Sequence, residues 1–343
     1  MTTDRCWMTD SDICNLAVMT TRQLGTTGPT VSALGLGAMG MSDLYGPADR
    51  AESIATIHAA LDAGITLIDT GDFYGMGHNE LLIREALADR DRDQVTISVK
   101  FGALRDADGG WNGYDGRPQA VKNFLAYSLS RLGTDHVDIY RLARTDPNVP
   151  IEETVGAIKE LIEAGHVRHV GLSESSADVI RRAATVTEIS DLQIEYSLIS
   201  RGIEAEILPT TREHGIGVTA YGVLSRGLLS GHWSKDRDVS KDFRGVSPRF
   251  QGENLDHNLK LVEALREAAA EAGATPAQAA IAWALSRGED IVPLIGARRR
   301  ERLTEALEAL TLDVDIAKIE AAVPEDSAAG ERYPAAQMAH LPA

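Results

Sequence analysis

The stretch Ile68-Asp69-Thr70-Gly71-Asp72-Phe73-Tyr74-Gly75 decides how the rest of the chain is interpreted. The apolar residues just before Asp69 predict a short buried strand, and Tyr74 follows this strand in a glycine-flanked loop. Residues 95–100 predict a second strand, which ends in Lys100. A carboxylate, a phenol and an ammonium group at the ends of neighbouring strands suit proton transfer, because Lys⁺ favours the phenolate and Asp fixes the Lys. Each residue alone is usually only solvated or packed, so the ordered combination is what favours chemistry.

The composition is that of a globular protein, with 43% hydrophobic and 25% charged residues among 343. The net charge of −17 predicts no nucleic-acid or membrane partner, although a local basic patch could still bind one anionic ligand. No apolar run approaches the roughly 20 residues that cross a bilayer. Cys6 and Cys14 are the only cysteines, so no disulfide framework is expected, and a cytoplasmic location suits this chain.

The two ends of the chain differ in composition from the part between them. Residues 1–18 lack the basic start and apolar core of a signal peptide and show no periodicity, so we expect a disordered extension. Residues 19–330 contain no linker with a shift in composition and are predicted to form one domain. Residues 331–343 are expected to be a C-terminal tail.

Eight predicted strands alternate with predicted helices along the chain, which indicates a (β/α)8 TIM barrel with extra helices and long loops at its C-terminal face. The strands are predicted at 31–39, 65–69, 95–100, 137–143, 169–173, 192–196, 217–222 and 291–295. The long loops are 103–117 and 223–256, and extra helices are predicted at 256–272 and 314–323. A doubly wound sheet is the alternative, since residues 35–40 match G-x-G-x-x-G. These glycines lie partly inside the predicted strand, and no nucleotide-binding half follows.

Motifs along residues 20–325 resemble those of the aldo-keto reductase superfamily. They include Leu-Gly-Leu-Gly-Ala-Met-Gly at 34–40, Ile-Asp-Thr-Gly-Asp-Phe-Tyr-Gly at 68–75, Gly-His-Asn-Glu at 77–80, Gly-Leu-Ser-Glu at 171–174, Arg-Gly-Leu-Leu-Ser-Gly at 226–231 and Gly-Ala-Arg-Arg-Arg-Glu-Arg-Leu at 296–303. The resemblance implies an oxidoreductase that uses NADPH to reduce aldehydes or ketones reversibly. Tyr74 would then be the general acid, Lys100 would lower its pKa, and Asp69 would pair with Lys100.

The resemblance also implies a nicotinamide site at the strand ends. Ser173, Gln193 and Glu174 would hold the carboxamide, and Tyr221 would stack on the ring. The expected cofactor contacts are Gly37, Ala38, Met39, Asp69, Ser173, Glu174, Gln193, Tyr221, Gly222, Leu224, Arg226, Gly227, Gly296, Arg298, Arg302 and Glu305.

An arginine cluster follows the eighth predicted strand and begins the next helix. It consists of Arg298, Arg299, Arg300 and Arg302. A helix N-terminus favours an anion through its free N–H groups and its dipole, and guanidinium groups suit a phosphate. The cluster therefore favours NADP, with its 2′-phosphate, over NAD.

Two positions depart from the family pattern. Ala143 stands where the family has a catalytic His at the end of the fourth strand, and Ala306 replaces an Asn expected after Glu305. Ala143 removes one hydrogen-bond partner of the substrate carbonyl and widens the pocket, and an ordered water could supply part of the lost bond. The substrate pocket is expected to contain Tyr74, Ala143, Trp111 and Trp233. No His, Cys or carboxylate spacing indicates a metal site.

Two other functions remain open at this point. A regulatory, redox-sensing NADPH-binding protein would explain the loss of the catalytic His at Ala143. A Schiff-base lyase could use Lys100 as its nucleophile, although the pairing of Asp69 with Tyr74 and the arginine cluster argue against it. The sequence leaves the carbonyl substrate and the oligomeric state undetermined.

Overall fold

A ring of eight parallel strands forms the centre of the computed structural model, which describes residues 19–42, 44–239, 242–338 and 341. The extension predicted at residues 1–18 lies outside this part. The strands in chain order are β1 (Thr21–Gln23), β2 (Thr30–Ser32), β3 (Gly35–Gly37), β4 (Leu67–Gly71), β5 (Thr96–Phe101), β6 (Ala103–Arg105), β7 (Trp111–Tyr114), β8 (Val137–Leu142), β9 (Val167–Ser173), β10 (Asp191–Glu195), β11 (Gly217–Tyr221) and β12 (Ile291–Ile295). The order around the barrel is β10-β11-β12-β3-β4-β5-β8-β9. The prediction of a TIM barrel is confirmed.

Helices surround the barrel and connect its strands. They are α1 (Arg50–Asp62), α2 (His78–Ala86), α3 (Pro118–Leu132), α4 (Ile151–Glu163), α5 (Ala177–Ala184), α6 (Ile207–Glu213), α7 (Gly252–Ala270), α8 (Pro276–Ser286), α9 (Arg300–Glu308), α10 (Ile316–Ala322) and α11 (Ala335–Met338). Local signals set their ends: Asp49 accepts the backbone N–H of Glu52 to start α1, and Thr275 and Gln278 form a capping box at α8. The extra helices α7 and α10 pack on each other and on α8. Among the described residues, no helix is long and apolar enough to cross a membrane.

The boundaries differ from the predicted ones where the backbone turns. The strand predicted at 31–39 is two strands, because the Ser32 hydroxyl bonds the Leu34 carbonyl and turns the chain between β2 and β3. Between β10 and β11, the 3-10 turn Gly202–Glu204 precedes α6. The loop predicted at 103–117 contains the hairpin of β6 and β7.

The hairpin of β1 and β2 closes the end of the barrel opposite the carboxyl ends of its strands. Its residues Leu24 and Val31 pack with Leu67, Ile139 and Val292 in an apolar cluster. Arg22 donates to the carbonyls of residues near the start of β12, including Gly288 at 2.9 Å. The apolar core therefore fills one end of the barrel, and polar side chains occupy the other.

A buried ion pair crosses the middle of the barrel. Arg141 of β8 and Asp191 of β10 are both fully buried, with Nη1 and Oδ2 3.0 Å apart. Arg141 also donates to Ser98 at 2.6 Å and to Thr219 at 3.0 Å. Gly171 of β9 leaves the room for this pair, since a Cβ there would lie 2.6 Å from Asp191 Oδ1 and 3.1 Å from Arg141 Nε.

Gly171→Ala should lower the free energy of unfolding by roughly 1–3 kcal/mol, because the methyl group overpacks a buried charged pair that cannot move into solvent. Gly156→Ala is the matched control, since nothing lies within 4 Å of a Cβ at this position of α4. There the change should be neutral or stabilising by up to about 1 kcal/mol. Urea unfolding, monitored by circular dichroism, measures the free energy of unfolding of both variants. Equal effects of the two variants would contradict this account of Gly171.

Asp72 is a buried carboxyl group directly after β4. Its backbone N–H bonds the Lys100 carbonyl at 2.9 Å, and Oδ2 has no partner within the described residues. Burial, together with the nearby Glu80, raises the pKa of Asp72 to about 8. The protonated form is therefore the one that the fold favours.

The folded pKa of Asp72 lies above the unfolded value of about 3.9, so its contribution to stability is complete below that value and is lost as pH rises towards 8. The free energy of unfolding, measured with urea at pH 5 and at pH 8, should fall less between these pH values in Asp72→Asn than in the unmodified protein. Asp108→Asn, in an exposed loop, is the control and should follow the unmodified protein. The same pH dependence in all three proteins would show that Asp72 does not titrate in this way.

Candidate active site

A cavity of about 750 Å³ opens at the carboxyl ends of the barrel strands. Every barrel strand places a residue in its wall within two residues of its carboxyl end, and these residues are Gly37, Asp69, Lys100, Ala143, Ser173, Gln193, Tyr221 and Gly296. Loop residues and residues near the C-terminus complete the wall. The cavity is therefore where a TIM barrel is expected to bind its ligands.

Asp69 is the centre of the hydrogen bonds at the base of the cavity. Its Oδ1 accepts from Lys100 Nζ at 2.5 Å, and its Oδ2 accepts from Gln193 at 2.7 Å and Ser98 at 3.1 Å. Lys100 also donates to the Thr70 carbonyl at 3.0 Å. Asp69 and Lys100 are almost completely buried. Their side chains are fixed relative to each other by bonds from three strands.

Tyr74 reaches the cavity because the loop after β4 is fixed on both sides. Thr70 donates to Asn79 at 2.6 Å, and Asn79 in turn donates to the Ala38 carbonyl at 2.9 Å. After Tyr74 the backbone takes the left-handed conformation at three consecutive residues, ending with Gly77 at φ 95°, and this turn starts α2. The ring centroid of Tyr74 lies 5.1 Å from Lys100 Nζ.

The pKa of Tyr74 differs in direction from the sequence expectation. Burial, followed by the charge of Asp69, raises it well above its ordinary value of 10.0, whereas Arg144 acts to lower it. Burial also lowers the pKa of Lys100, and the Asp69 carboxylate opposes that change. Removal of the phenol from water therefore has the larger effect on the Tyr74 pKa in this structure. That Lys100 acts to lower this pKa stays a prediction. Tyr74 is thus a protonated phenol at neutral pH.

The side of the cavity formed by β9 to β11 has polar groups that suit a planar amide. Ser173 Oγ is buried and has no hydrogen-bond partner among the residues described. Gln193 uses its amide nitrogen on Asp69, which leaves its oxygen as an acceptor. An unpartnered buried hydroxyl is costly in the absence of a ligand, so this pair fits the carboxamide of a nicotinamide.

Glu174 lies behind this side, buried and outside the cavity wall, with a left-handed backbone at φ 46°. Its carboxylate accepts two bonds from Arg332, at 3.1 and 2.9 Å, and one from Tyr221 Oη at 2.6 Å. Burial alone would raise the pKa of Glu174, but Arg144 and Arg332 outweigh burial and lower it. Glu174 therefore anchors the segment around residue 332 to the barrel as a charged group.

A cluster of guanidinium groups lies in the cavity wall after β12. The cluster combines Arg298, Arg299 and Arg302 with Arg237 and Arg244 from the loop 223–256. Burial and the charges of the neighbouring arginines lower the pKa of Arg298 and of Arg237. Repulsion among these like charges is relieved when an anion binds between them. A phosphate suits this site, because its oxygens accept hydrogen bonds from guanidinium groups.

Arg300, which the sequence grouped with this cluster, lies elsewhere. It binds Glu52 of α1 through its backbone N–H, Nε and Nη2, at 3.0, 3.0 and 2.9 Å, and it is not part of the cavity wall. The phosphate expectation therefore depends on the other arginines.

Most of the predicted site residues share this cavity. Besides Arg300, three do not line it: Ala38, Glu174 and Trp233. Trp233 packs on Phe250, with ring centroids 4.5 Å apart, and beneath Arg237 and Arg244. Tyr114, an aromatic residue of the loop 103–117 like Trp111, is also in the wall. The wall contains further residues that the sequence did not single out, namely Tyr45, Phe73, Arg144, His232, Arg237, Arg244 and Tyr333. Tyr333 had no sequence signal.

Comparison with known proteins identifies the group to which this chain belongs. Residues 33–323 match the aldo/keto reductase family. A probable aldo-keto reductase 1 of Glycine max is 41% identical over 317 residues, which cover 91% of each chain. A glycerol dehydrogenase of Gluconobacter oxydans has a similar structure, with a TM-score of 0.79, 28% identity and coverage of 88% of this chain and 93% of that one.

An aldo-keto reductase of Bacillus halodurans, solved in its holo form, gives a TM-score of 0.73 at 27% identity and covers 92% of this chain and 99% of its own. The fold, the position of the cavity and the similarity over most of the sequence agree with one another. The chain belongs to the aldo/keto reductase family of oxidoreductases.

Proposed function

We propose that this chain reduces aldehydes or ketones with NADPH and that Tyr74 donates the proton to the carbonyl oxygen. The observation that carries the proposal is the set of groups in one cavity: a buried protonated phenol, the unpartnered Ser173 hydroxyl and the arginine cluster after β12. Carbonyl compound, NADPH and a proton give alcohol and NADP⁺, and the reverse reaction oxidises the alcohol. When bound, the nicotinamide supplies the hydride to the carbonyl carbon.

The protein groups then have separate tasks. Tyr74 holds its proton until the oxygen of the carbonyl gains negative charge, as general acid catalysis requires. The phenolate left behind is stabilised by the Lys100 ammonium and by the Arg144 guanidinium, whose charge acts on Tyr74. Asp69 keeps Lys100 oriented through the 2.5 Å bond. The same bond argues against a Schiff-base role, because a nucleophilic lysine must be neutral and free to attack.

NADPH would be held at both ends of the cavity. Ser173 and Gln193 would bind the carboxamide, with Tyr221 beside the ring. Arg298, Arg299 and Arg302 would hold the 2′-phosphate, because charge-assisted bonds from guanidinium to phosphate are strong.

Tyr74→Phe should lower turnover at least about a hundred-fold, because general acid catalysis is lost, and should leave the affinity for NADPH nearly unchanged. The matched control is Tyr127→Phe, at an exposed tyrosine of α3, which should keep full activity. Steady-state kinetics and cofactor fluorescence measure the two properties. Full activity of Tyr74→Phe would rule out the proposed acid.

NADPH should bind at least about ten-fold more tightly than NADH, owing to charge-assisted bonds to the 2′-phosphate. Arg298→Ala and Arg302→Ala should reduce this preference. Arg300→Ala should keep it, since Arg300 pairs with Glu52 outside the cavity. Fluorescence titration with both cofactors measures the preference in each variant.

Equal affinity for the two cofactors, or the same loss in all three variants, would argue against the assignment of NADPH to this arginine cluster. Tight binding of NADPH without reduction of any carbonyl would instead favour the redox-sensing alternative.

A further inference from the structure

Arg144 follows Ala143 directly and brings a positive charge to the substrate end of the cavity. The side chain is partly buried and shares the cavity wall with Tyr74, Lys100 and Ala143. Its guanidinium donates to the Ala143 carbonyl at 2.6 Å and to Tyr333 Oη at 3.5 Å. A guanidinium has five N–H donors, so the bonds to Ala143 and Tyr333 leave other donors for a ligand.

The carboxylates near Arg144 are already bound by other arginines. Glu174 accepts two bonds from Arg332. Glu195 lies within 3.4 Å of Arg226, 3.6 Å of Arg249 and 3.7 Å of Arg332. Within the described ranges, no carboxylate oxygen forms an ion pair with Arg144.

Four guanidinium groups thus surround two carboxylates in a chain whose net charge is −17. The charge of Glu174 acts on Arg144, but Arg332 bonds both oxygens of that carboxylate, so Arg144 has no directly bonded counter-ion among the described residues. A partly buried cation of this kind is stabilised by a ligand that brings negative charge into contact with it. The excess of positive charge on this side of the cavity therefore indicates an anionic ligand.

The 2′-phosphate of the cofactor is not suited to be that anion. The arginine cluster expected to hold it follows β12, whereas Arg144 follows β8. In the closed ring β10-β11-β12-β3-β4-β5-β8-β9, these two strands are on opposite sides of the barrel. The nicotinamide end of the cofactor, which would lie nearer Arg144, carries no negative charge. We therefore assign an anion beside Arg144 to the second molecule in the cavity.

We propose that the carbonyl substrate carries a carboxylate and that Arg144 binds this carboxylate. The proposal rests on the proposed reductase function and names its substrate class. Ala143 leaves open the space that an imidazole would fill at the end of β8, so the carboxylate can approach the guanidinium beside Tyr74. Phe73, Trp111 and Tyr114 supply aromatic surface in the same wall, which suits an aryl group. Arg144 is thus a specificity-determining residue.

The proposed step leaves the carboxylate unchanged. Hydride adds to the carbonyl carbon, the proton of Tyr74 goes to the carbonyl oxygen, and a 2-oxo carboxylate becomes a 2-hydroxy carboxylate while NADPH becomes NADP⁺. Arg144 keeps its two-donor contact with the carboxylate throughout, as the planar guanidinium allows.

A matched pair of substrates tests the proposal: phenylglyoxylate, which has the carboxylate, and phenylglyoxylamide, which replaces it with a neutral amide of similar size. With NADPH, the kcat/KM of the unmodified enzyme for the acid should be roughly ten- to hundred-fold above that for the amide. This ratio is the size expected when a hydrogen-bonded contact to a charged group is lost. Arg144→Gln should lower kcat/KM for both substrates, because the charge of Arg144 also acts on Tyr74. It should lower the value for the acid further and bring the two values within about three-fold, since the contact with the carboxylate is lost. Arg144→Lys should restore part of the preference, because its charge remains.

Arg181→Gln is the control variant, since Arg181 lies on the exposed face of α5 and pairs with Glu206 at 3.3 Å. It should keep the preference for the acid. If Arg144→Gln does not fold, inhibition of the unmodified enzyme still tests the proposal. Benzoate should compete with the substrate more strongly than benzamide, and added salt should weaken only benzoate.

Reduction of the amide as fast as the acid by the unmodified enzyme would overturn the inference and leave the reductase function in place. An equal proportional loss on both substrates in Arg144→Gln would also overturn it, and would show that Arg144 acts only through Tyr74. Failure to oxidise NADPH with either substrate or with any simple aldehyde would instead count against the proposed function itself.

Discussion

The buried carboxylate of Asp69 is the group on which the geometry of the site depends. It accepts bonds from Lys100 and Ser98 on β5 and from Gln193 on β10, and Ser98 in turn accepts from Arg141 of β8. A buried charge is stable only when it is paired and hydrogen-bonded. The Asp69 carboxylate therefore stabilises the arrangement of strands that brings its partners within hydrogen-bond distance. The orientation of Lys100, and through it the electrostatic field at Tyr74, follows from this one group.

Local sequence patterns predicted the barrel and much of its site. The alternation of short apolar runs with helical periods predicted eight strands joined by helices, and polar residues at strand ends converge on one face in any parallel barrel. This is why Asp69, Lys100, Ser173 and Gln193 could be placed together before the structure was available. The hairpin of β1 and β2 was not predicted, since its strands are only three residues long.

Two properties of the site depend on tertiary structure and could not be predicted in this way. The direction of the Tyr74 pKa is set by how completely the ring is removed from water, and burial exceeds the effect of the nearby lysine. The contact between Arg144 and Tyr333 joins residues 189 positions apart, without a motif at either end. Arg300 shows that neighbours in sequence can separate in the fold. The sequence grouped Arg300 with Arg298, Arg299 and Arg302, yet its side chain binds Glu52.

The segment around Arg332 and Tyr333 lies outside the barrel strands and helices, yet Tyr333 forms part of the wall of the active-site cavity. It is attached through Glu174, through Arg226, which contacts both the Arg332 carbonyl and the Tyr333 ring, and through Arg249, which donates to the Gly330 carbonyl. The eight strands and the helices around them do not need these contacts to close. Proteolytic cleavage after α10 would therefore change two properties together: the active site would lose one wall, and the buried Glu174 carboxylate would lose its Arg332 partner. The cleaved protein would keep the circular dichroism spectrum of the barrel but unfold at a lower temperature.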